Sequence, residues 1–164
     1  MIQLLVWIFL TFLQTPPDFS GTWRLDASQS RVADGAGMLG LIQVSAPQTL
    51  HITQPANGTL IIESQINESH SRIYKPGVKM STPFWGGAIS MVSRWEGRSL
   101  IGEGAQESAS GGASTPVKET ITLSADGRTL TIEITTTNSS TYVYTRIQDV
   151  GPCKTWPTPC KTFQ

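Results

Sequence analysis

The sequence has little charge and few of the residues that carry most catalytic and metal chemistry. Charged residues make up 15% of the 164 residues, and 12 basic residues balance 12 acidic ones. A neutral surface of this kind gains little affinity from neutralising phosphates, so we do not expect a nucleic-acid partner. His51 and His70 are the only histidines and lie far apart in the chain, so no metal site or cofactor is predicted.

Motifs of the common enzyme classes are also missing. The chain has no Gly-x-Ser-x-Gly run, which would mark a nucleophile elbow, and no Gly-x-x-x-x-Gly-Lys phosphate loop. Its glutamates are scattered over predicted strands and loops, and no spacing fixes two of them as an acid–base pair. The sequence therefore predicts a protein that is not an enzyme, and no catalytic residue is assigned. The alternative with least support is an enzyme that holds a strongly perturbed acid or base inside a cavity.

One long hydrophobic run is present, at the start of the chain. Met1 to Leu13 is interrupted only by Gln3 and Thr11. A bilayer span needs about 20 residues, so this run is too short to cross a membrane and is typical of the apolar part of a secretory signal. We assign 1–15 to a signal peptide, which places the mature protein in the periplasm or outside the cell. An uncleaved anchor or a misplaced start codon is the alternative.

Helix-forming residues are sparse, whereas Thr, Ser, Gly and Pro are frequent, which indicates short strands joined by turns. Segments such as 49–53 and 130–134 alternate apolar and polar residues, and Asn57-Gly58 predicts a tight hairpin. The predicted fold class is all-β, an antiparallel meander of eight to ten strands with a long loop after the first. Closure into a barrel would remove the exposed sheet edges, and a two-layered sandwich is the alternative.

The first and last strands carry residues that favour closure. Gly21 lets another part of the chain approach closely, and Trp23 is large enough to close the floor of a small barrel. Arg146, on the last strand, is expected to lie over the Trp23 ring, a contact worth about 1–2 kcal/mol when shielded from water. The alternative is that Trp23 is an ordinary core residue and Arg146 a solvated strand end.

These residues resemble the Gly-x-Trp signature and the late arginine of the calycin superfamily, which includes lipocalins and fatty-acid-binding proteins. The resemblance covers the layout of residues 18–148 and implies a lipocalin-like barrel whose long first loop covers the open mouth. The run from Asp18 to Trp23 is also similar to the start of certain exported bacterial proteins of unassigned function. The lipocalin Thr-Asp-Tyr motif is not found. Neither is the Arg-x-Tyr carboxylate clamp of fatty-acid-binding proteins, since Tyr144-Thr145-Arg146 has the opposite order.

The candidate pocket residues are aromatic or soft apolar side chains expected at the interior or rim of the barrel: Tyr142, Tyr144, Met91, Trp95, Phe84 and Trp85. Tyr142 and Tyr144 share a strand face with Arg146, so both hydroxyls are expected to point inward, where a ligand could partner them. Met91 and Trp95 share a face of their own strand and are expected to form another wall.

The predicted function is therefore that of an exported barrel that binds a small hydrophobic ligand in its interior. The alternative is a non-enzymatic envelope or extracellular module, such as an inhibitor, whose barrel is filled by its own side chains. That module would act through outer loops, of which 38–42 and 84–85 are the most apolar. The long loop 26–47 is either a lid over the mouth or an irregular loop tucked against the barrel.

The tail, 149–164, is rich in proline and holds the only two cysteines, Cys153 and Cys160. In an exported protein, an even number of cysteines at short spacing indicates a disulfide. The bridge would close a short loop and contribute about 2–3 kcal/mol in the chain-entropy account. The spacing is not that of a Cys-x-x-Cys redox motif, and no histidine lies near enough to complete a zinc site.

We expect Cys153 and Cys160 of protein purified from an oxidising compartment to react with a maleimide only after reduction. Mass spectrometry counts the labelled thiols. Cys153→Ser is the control, because it should leave Cys160 reactive without reductant. Labelling of both cysteines in the unreduced chain would contradict the disulfide.

Overall fold

The structure, a computed structural model, describes residues 15–33, 48–64, 71–84 and 86–148. Residues 1–14 of the predicted signal peptide and the cysteine-containing tail lie outside the described residues. Within the described ranges the chain forms ten strands: β1 Gly21–Leu25, β2 Thr49–Thr53, β3 Leu60–Ser64, β4 Ser71–Tyr74, β5 Lys79–Phe84, β6 Gly87–Glu96, β7 Ser99–Ser108, β8 Thr115–Leu123, β9 Thr129–Thr135 and β10 Ser139–Gln148. No helix among these residues is long and apolar enough to cross a membrane.

All ten strands belong to one antiparallel sheet, and the order of the strands shows that the sheet curls round. The order is β4-β3-β2-β1-β10-β9-β8-β7-β6-β5, so the first strand pairs with the last. At the two ends of this order, β4 and β5 lie close together without a hydrogen-bonded ladder in the described residues. The predicted all-β meander is thus confirmed as a nearly closed barrel of ten strands.

One face of nearly every strand is buried inside the barrel, as its alternating sequence predicts. Along β9, for example, Leu130, Ile132 and Ile134 are buried while Glu133 is exposed. Burying one such aliphatic side chain contributes about 1.5–3 kcal/mol. Inward residues of every strand except β5, together with Phe19, form a single core cluster among the described residues.

Because neighbouring strands run in opposite directions, successive connections alternate between the two ends of the barrel. The short turns 54–59, 97–98 and 124–128 lie at the same end as the segment 15–20 that precedes β1. The C-terminal ends of β1, β3, β5, β7 and β9 lie at the other end, which we call the mouth. The long loop after β1 begins at this mouth.

Aromatic side chains form the floor at the closed end. Trp23 and Phe19 are fully buried, and the Trp23 indole Nε1 donates to the Phe19 carbonyl at 3.0 Å. The rings of Phe19 and Trp95 lie 5.4 Å apart between centroids. Trp95 Nε1 donates to the carbonyl of Gly58, in the turn between β2 and β3, at 3.2 Å. Both indole N–H groups of the floor are therefore satisfied by backbone.

The pairing of β1 with β10 closes the sheet. Trp23 lies opposite Arg146 in the register of the two strands. The Arg146 Cζ atom is 4.5 Å from the centroid of the Trp23 ring, and Nη2 donates to the Asp18 carbonyl at 2.9 Å. Gly21 has a φ of 148°, which residues with a side chain rarely adopt. The backbone conformation therefore explains why the Gly-x-Trp motif has glycine at this position.

The first part of the long loop stays with the barrel wall. Asp26 N donates to the Val143 carbonyl at 2.8 Å, and Arg31 forms a bridge with Thr141, so the chain continues alongside β10 after β1 ends. Ser30 Oγ accepts the Val143 N–H at 3.0 Å. For 26–33 the tucked-loop alternative therefore holds, and the residues 34–47 lie outside the described residues.

We expect Arg146→Lys to lower the free energy of unfolding by about 1–2 kcal/mol, because an ammonium group cannot stack flat on Trp23 while it donates to Asp18. Denaturant unfolding followed by tryptophan fluorescence measures the change. Arg24→Lys is the matched control, since Arg24 is an exposed residue of β1, and it should change stability by less than about 0.5 kcal/mol. Equal stabilities of the two variants would contradict the closing role of Arg146.

Candidate functional site

The barrel interior holds one buried ion pair. Arg72 on β4 and Glu119 on β8 are 2% and 1% exposed, and Arg72 Nη1 donates to Glu119 Oε1. Because β4 and β8 are not neighbours in the sheet, the ion pair crosses the interior rather than running along the wall. Arg72 and Glu119 are the only charged side chains that are buried among the described residues.

Tyr74 and Met91 pack against this ion pair. Tyr74 Oη donates to Glu119 Oε2 at 2.6 Å, and the Arg72 Cζ atom lies 5.3 Å from the Tyr74 ring centroid. Arg72 Nη2 lies 3.4 Å from the Met91 sulfur. We call Arg72, Tyr74 and Glu119 the interior polar cluster. A Cβ atom at Gly102, on β7, would lie 2.8 Å from the Met91 sulfur, so the absence of a side chain there makes room for Met91.

Arg72 and Glu119 carry opposite charges, so the interior polar cluster has no net charge. Burial alone would lower the pKa of Arg72, but the adjacent Glu119 carboxylate raises it above its ordinary value. Burial raises the pKa of Tyr74 well above its ordinary value, so Tyr74 remains a hydrogen-bond donor. Removing one partner of such a pair costs about 3–5 kcal/mol, because the other charge stays buried and uncompensated.

Three buried hydroxyls have no hydrogen-bond partner among the described residues: those of Ser64, Ser93 and Tyr144. Each shares its strand face with residues of the core cluster, so each lies on the inner wall. Burial raises the pKa of Tyr144, which keeps its hydroxyl neutral. A buried polar group without a partner costs about 1–3 kcal/mol, and a ligand oxygen placed there would recover part of that cost.

The structure places the predicted pocket residues in different parts of the barrel. Tyr142, Tyr144 and Met91 belong to the core cluster, and the Tyr142 side chain hydrogen-bonds to Ser140. Trp95 lies on the same core-facing side of β6 as Met91 and packs against the core at the floor, beside Phe19. The Phe84 side chain, Trp85 and the loop 38–42 lie outside the described residues.

The interior polar cluster was not predicted from the sequence. The expectation that the chain lacks an Arg-x-Tyr pair was wrong, since Arg72-Ile73-Tyr74 has that order, on β4 rather than on the last strand. The two-residue period of a strand puts Arg72 and Tyr74 on one face. Glu119 is likewise in phase with Val117 and Ile121, so its inward position was available from the pattern.

Comparisons with known proteins find similar structures but no similar sequence. No protein-family model and no curated protein matches the chain. Secretory abundant heat soluble protein 4 of Ramazzottius varieornatus has a TM-score of 0.58 at 15% identity, over 82% of this chain and 99% of that one. Lipid binding protein 8 of Caenorhabditis elegans has a TM-score of 0.55 at 16% identity, over 78% and 94%. Fatty-acid-binding protein 1 of Echinococcus granulosus has a TM-score of 0.54 at 16% identity, over 79% and 97%.

Identities this low show the fold and nothing more specific. The chain has the calycin-like β-barrel fold that the Gly21, Trp23 and Arg146 resemblance implied, here with ten strands among the described residues. The predicted fold is confirmed at that level.

We expect Tyr74→Phe to lower the free energy of unfolding by about 1.5–3 kcal/mol, because Glu119 loses a charge-assisted hydrogen bond while staying buried. Tyr144→Phe is the matched control, since it also deletes one buried phenol hydroxyl, but one without a partner among the described residues. It should leave stability within about 0.5 kcal/mol of the original or raise it. Thermal unfolding by circular dichroism measures both, and equal losses would contradict the assigned hydrogen bonds.

Proposed function

We propose that the barrel binds a small, mostly apolar ligand in its interior. The observation that carries this proposal is the Tyr144 hydroxyl, which is fully buried on an apolar wall and has no partner among the described residues. Ligand sites typically combine a largely apolar lining with a few convergent polar groups. Tyr144, Ser64 and Ser93 are the residues whose buried hydroxyls on the inner wall lack a partner among the described residues.

The likeness in fold supports a binding role. Two of the similar structures are, by name, a lipid binding protein and a fatty-acid-binding protein, and the match extends over nearly the whole of each. Aromatic side chains also cover the floor of this barrel, so a ligand would enter from the opposite end, at which the long loop begins. Export to the periplasm or the outside remains part of the proposal and is supported by the apolar run from Met1 to Leu13.

The hydrogen bonds of the buried Glu119 carboxylate favour a binding role over a catalytic one. Glu119 accepts from both Arg72 and Tyr74, and these contacts hold it as a structural partner rather than as a general base. Glu103, another strand carboxylate, is exposed and forms ion pairs with Arg94 and Lys118 on the outer face. Neither acid is arranged to transfer a proton to a ligand.

Titration of the full chain with retinol should show saturable energy transfer from tryptophan fluorescence to retinol. The reason is that Trp23 and Trp95 lie at the floor of the proposed site. Tyr144→Phe should weaken retinol binding by about two- to tenfold, the equivalent of one neutral hydrogen bond. Val92→Thr changes an exposed residue of β6 and is the control, with unchanged affinity expected.

The absence of any saturable signal with the original chain would contradict the proposal. That result would favour the alternative function, a barrel filled by its own side chains that acts through its outer surface. If the original chain and Tyr144→Phe bind retinol with equal affinity, the ligand head group does not contact the Tyr144 hydroxyl.

A further inference from the structure

Resting on the proposed function, we infer that Glu119 makes the barrel select neutral, oxygen-bearing apolar ligands and reject carboxylates. Glu119 occupies, as part of the chain, the place at Arg72 and Tyr74 that an acidic ligand would need. Long-chain or isoprenoid alcohols, esters and amides are the ligand class that remains.

Arg72 is the one buried cation among the described residues, and its partner is Glu119. Tyr74 donates to the other oxygen of the same carboxylate. Both strong donors of the interior polar cluster are therefore already directed at an acid that belongs to the chain.

A second carboxylate beside Arg72 would be energetically unfavourable. A carboxylate ligand that reached Arg72 would share one guanidinium with Glu119, so two like charges would lie together in a dry interior. Two carboxylates that share a site cannot both remain ionised without a large penalty, and one of them takes up a proton. A carboxylate ligand would therefore bind in its protonated form, whereas a neutral ligand pays no such penalty.

Some buried polar groups in the described part of the chain have no partner and are available to a ligand. Among the described residues these are the neutral hydroxyls of Ser64, Ser93 and Tyr144. Ser93 lies opposite Gly102, and Gly102 lies opposite Glu119, so a position without a side chain separates Ser93 from the interior polar cluster. Neutral hydroxyls match ligand oxygens that carry no charge, and no second buried cation is present in the described residues to favour an anion.

The test compares two probes that share one apolar body and differ in the head group, retinol and retinoic acid. At about pH 7 the full chain should bind retinol at least about tenfold more tightly than retinoic acid, as measured by energy transfer from tryptophan. As the pH is lowered from about 7 toward about 5 the affinity for retinoic acid should rise toward that for retinol, since the neutral fraction of a carboxylic acid with a pKa of about 4 increases roughly a hundredfold over this range.

Glu119→Gln tests the assignment directly. It keeps the shape and an acceptor for Arg72 but removes the negative charge, so the affinity for retinoic acid should rise by about tenfold or more while that for retinol changes by less than about threefold. Glu133→Gln, on the exposed face of β9, makes the same change in net charge and should leave both affinities unchanged.

The outcomes separate this inference from the proposed function. Retinoic acid bound as tightly as retinol by the original chain at about pH 7, or no gain for retinoic acid in folded Glu119→Gln, would overturn the inference and leave ligand binding intact. Binding of neither probe by the original chain and by Glu119→Gln would overturn both. Should circular dichroism show that Glu119→Gln is unfolded, the pH dependence in the original chain decides, and an affinity for retinoic acid that does not rise would overturn the inference.

Discussion

The pairing of the first strand with the last is the interaction on which the rest of the structure depends. β1 has only five residues, yet it joins two halves of the sheet, with β2 on one side and β10 on the other. Trp23 and Arg146 secure this joint by a stacked contact, and the Trp23 N–H is satisfied by Phe19. Without the joint, the two halves of the sheet would no longer be held around the shared core cluster.

Closure determines what the interior can contain. Once the sheet curls round, β4 and β8 face each other, and Arg72 meets Glu119 across the core. A buried ion pair contributes little net stability compared with well-packed apolar groups, so its presence calls for another reason. We propose that the pair sets the electrostatics of the interior. The cation is matched by Glu119 of the chain itself, and among the described residues the hydroxyls left for a ligand are neutral.

Local patterns were enough to predict the strands and the closure. Alternation in 49–53 and 130–134, the turn residues between strands, and the Gly21, Trp23 and Arg146 set all refer to one strand or to one pair of strands. The interior polar cluster required more information. The phase of Arg72 and of Glu119 can be read from their own strands, but their contact depends on the curvature of the whole sheet, which no single segment encodes. Trp95 shows the same limit, because its strand face was predicted but its position at the floor was not.

The central claim is that the ligand lies inside the closed barrel, and nuclear Overhauser effects from bound retinol test it most directly. The account predicts effects between retinol and the inward side chains of Tyr144 and Met91, and none to Val92 and Ile147, which are both 44% exposed. Effects confined to Val92, Ile147 or other outward residues would place the ligand on the outer surface and would contradict the account.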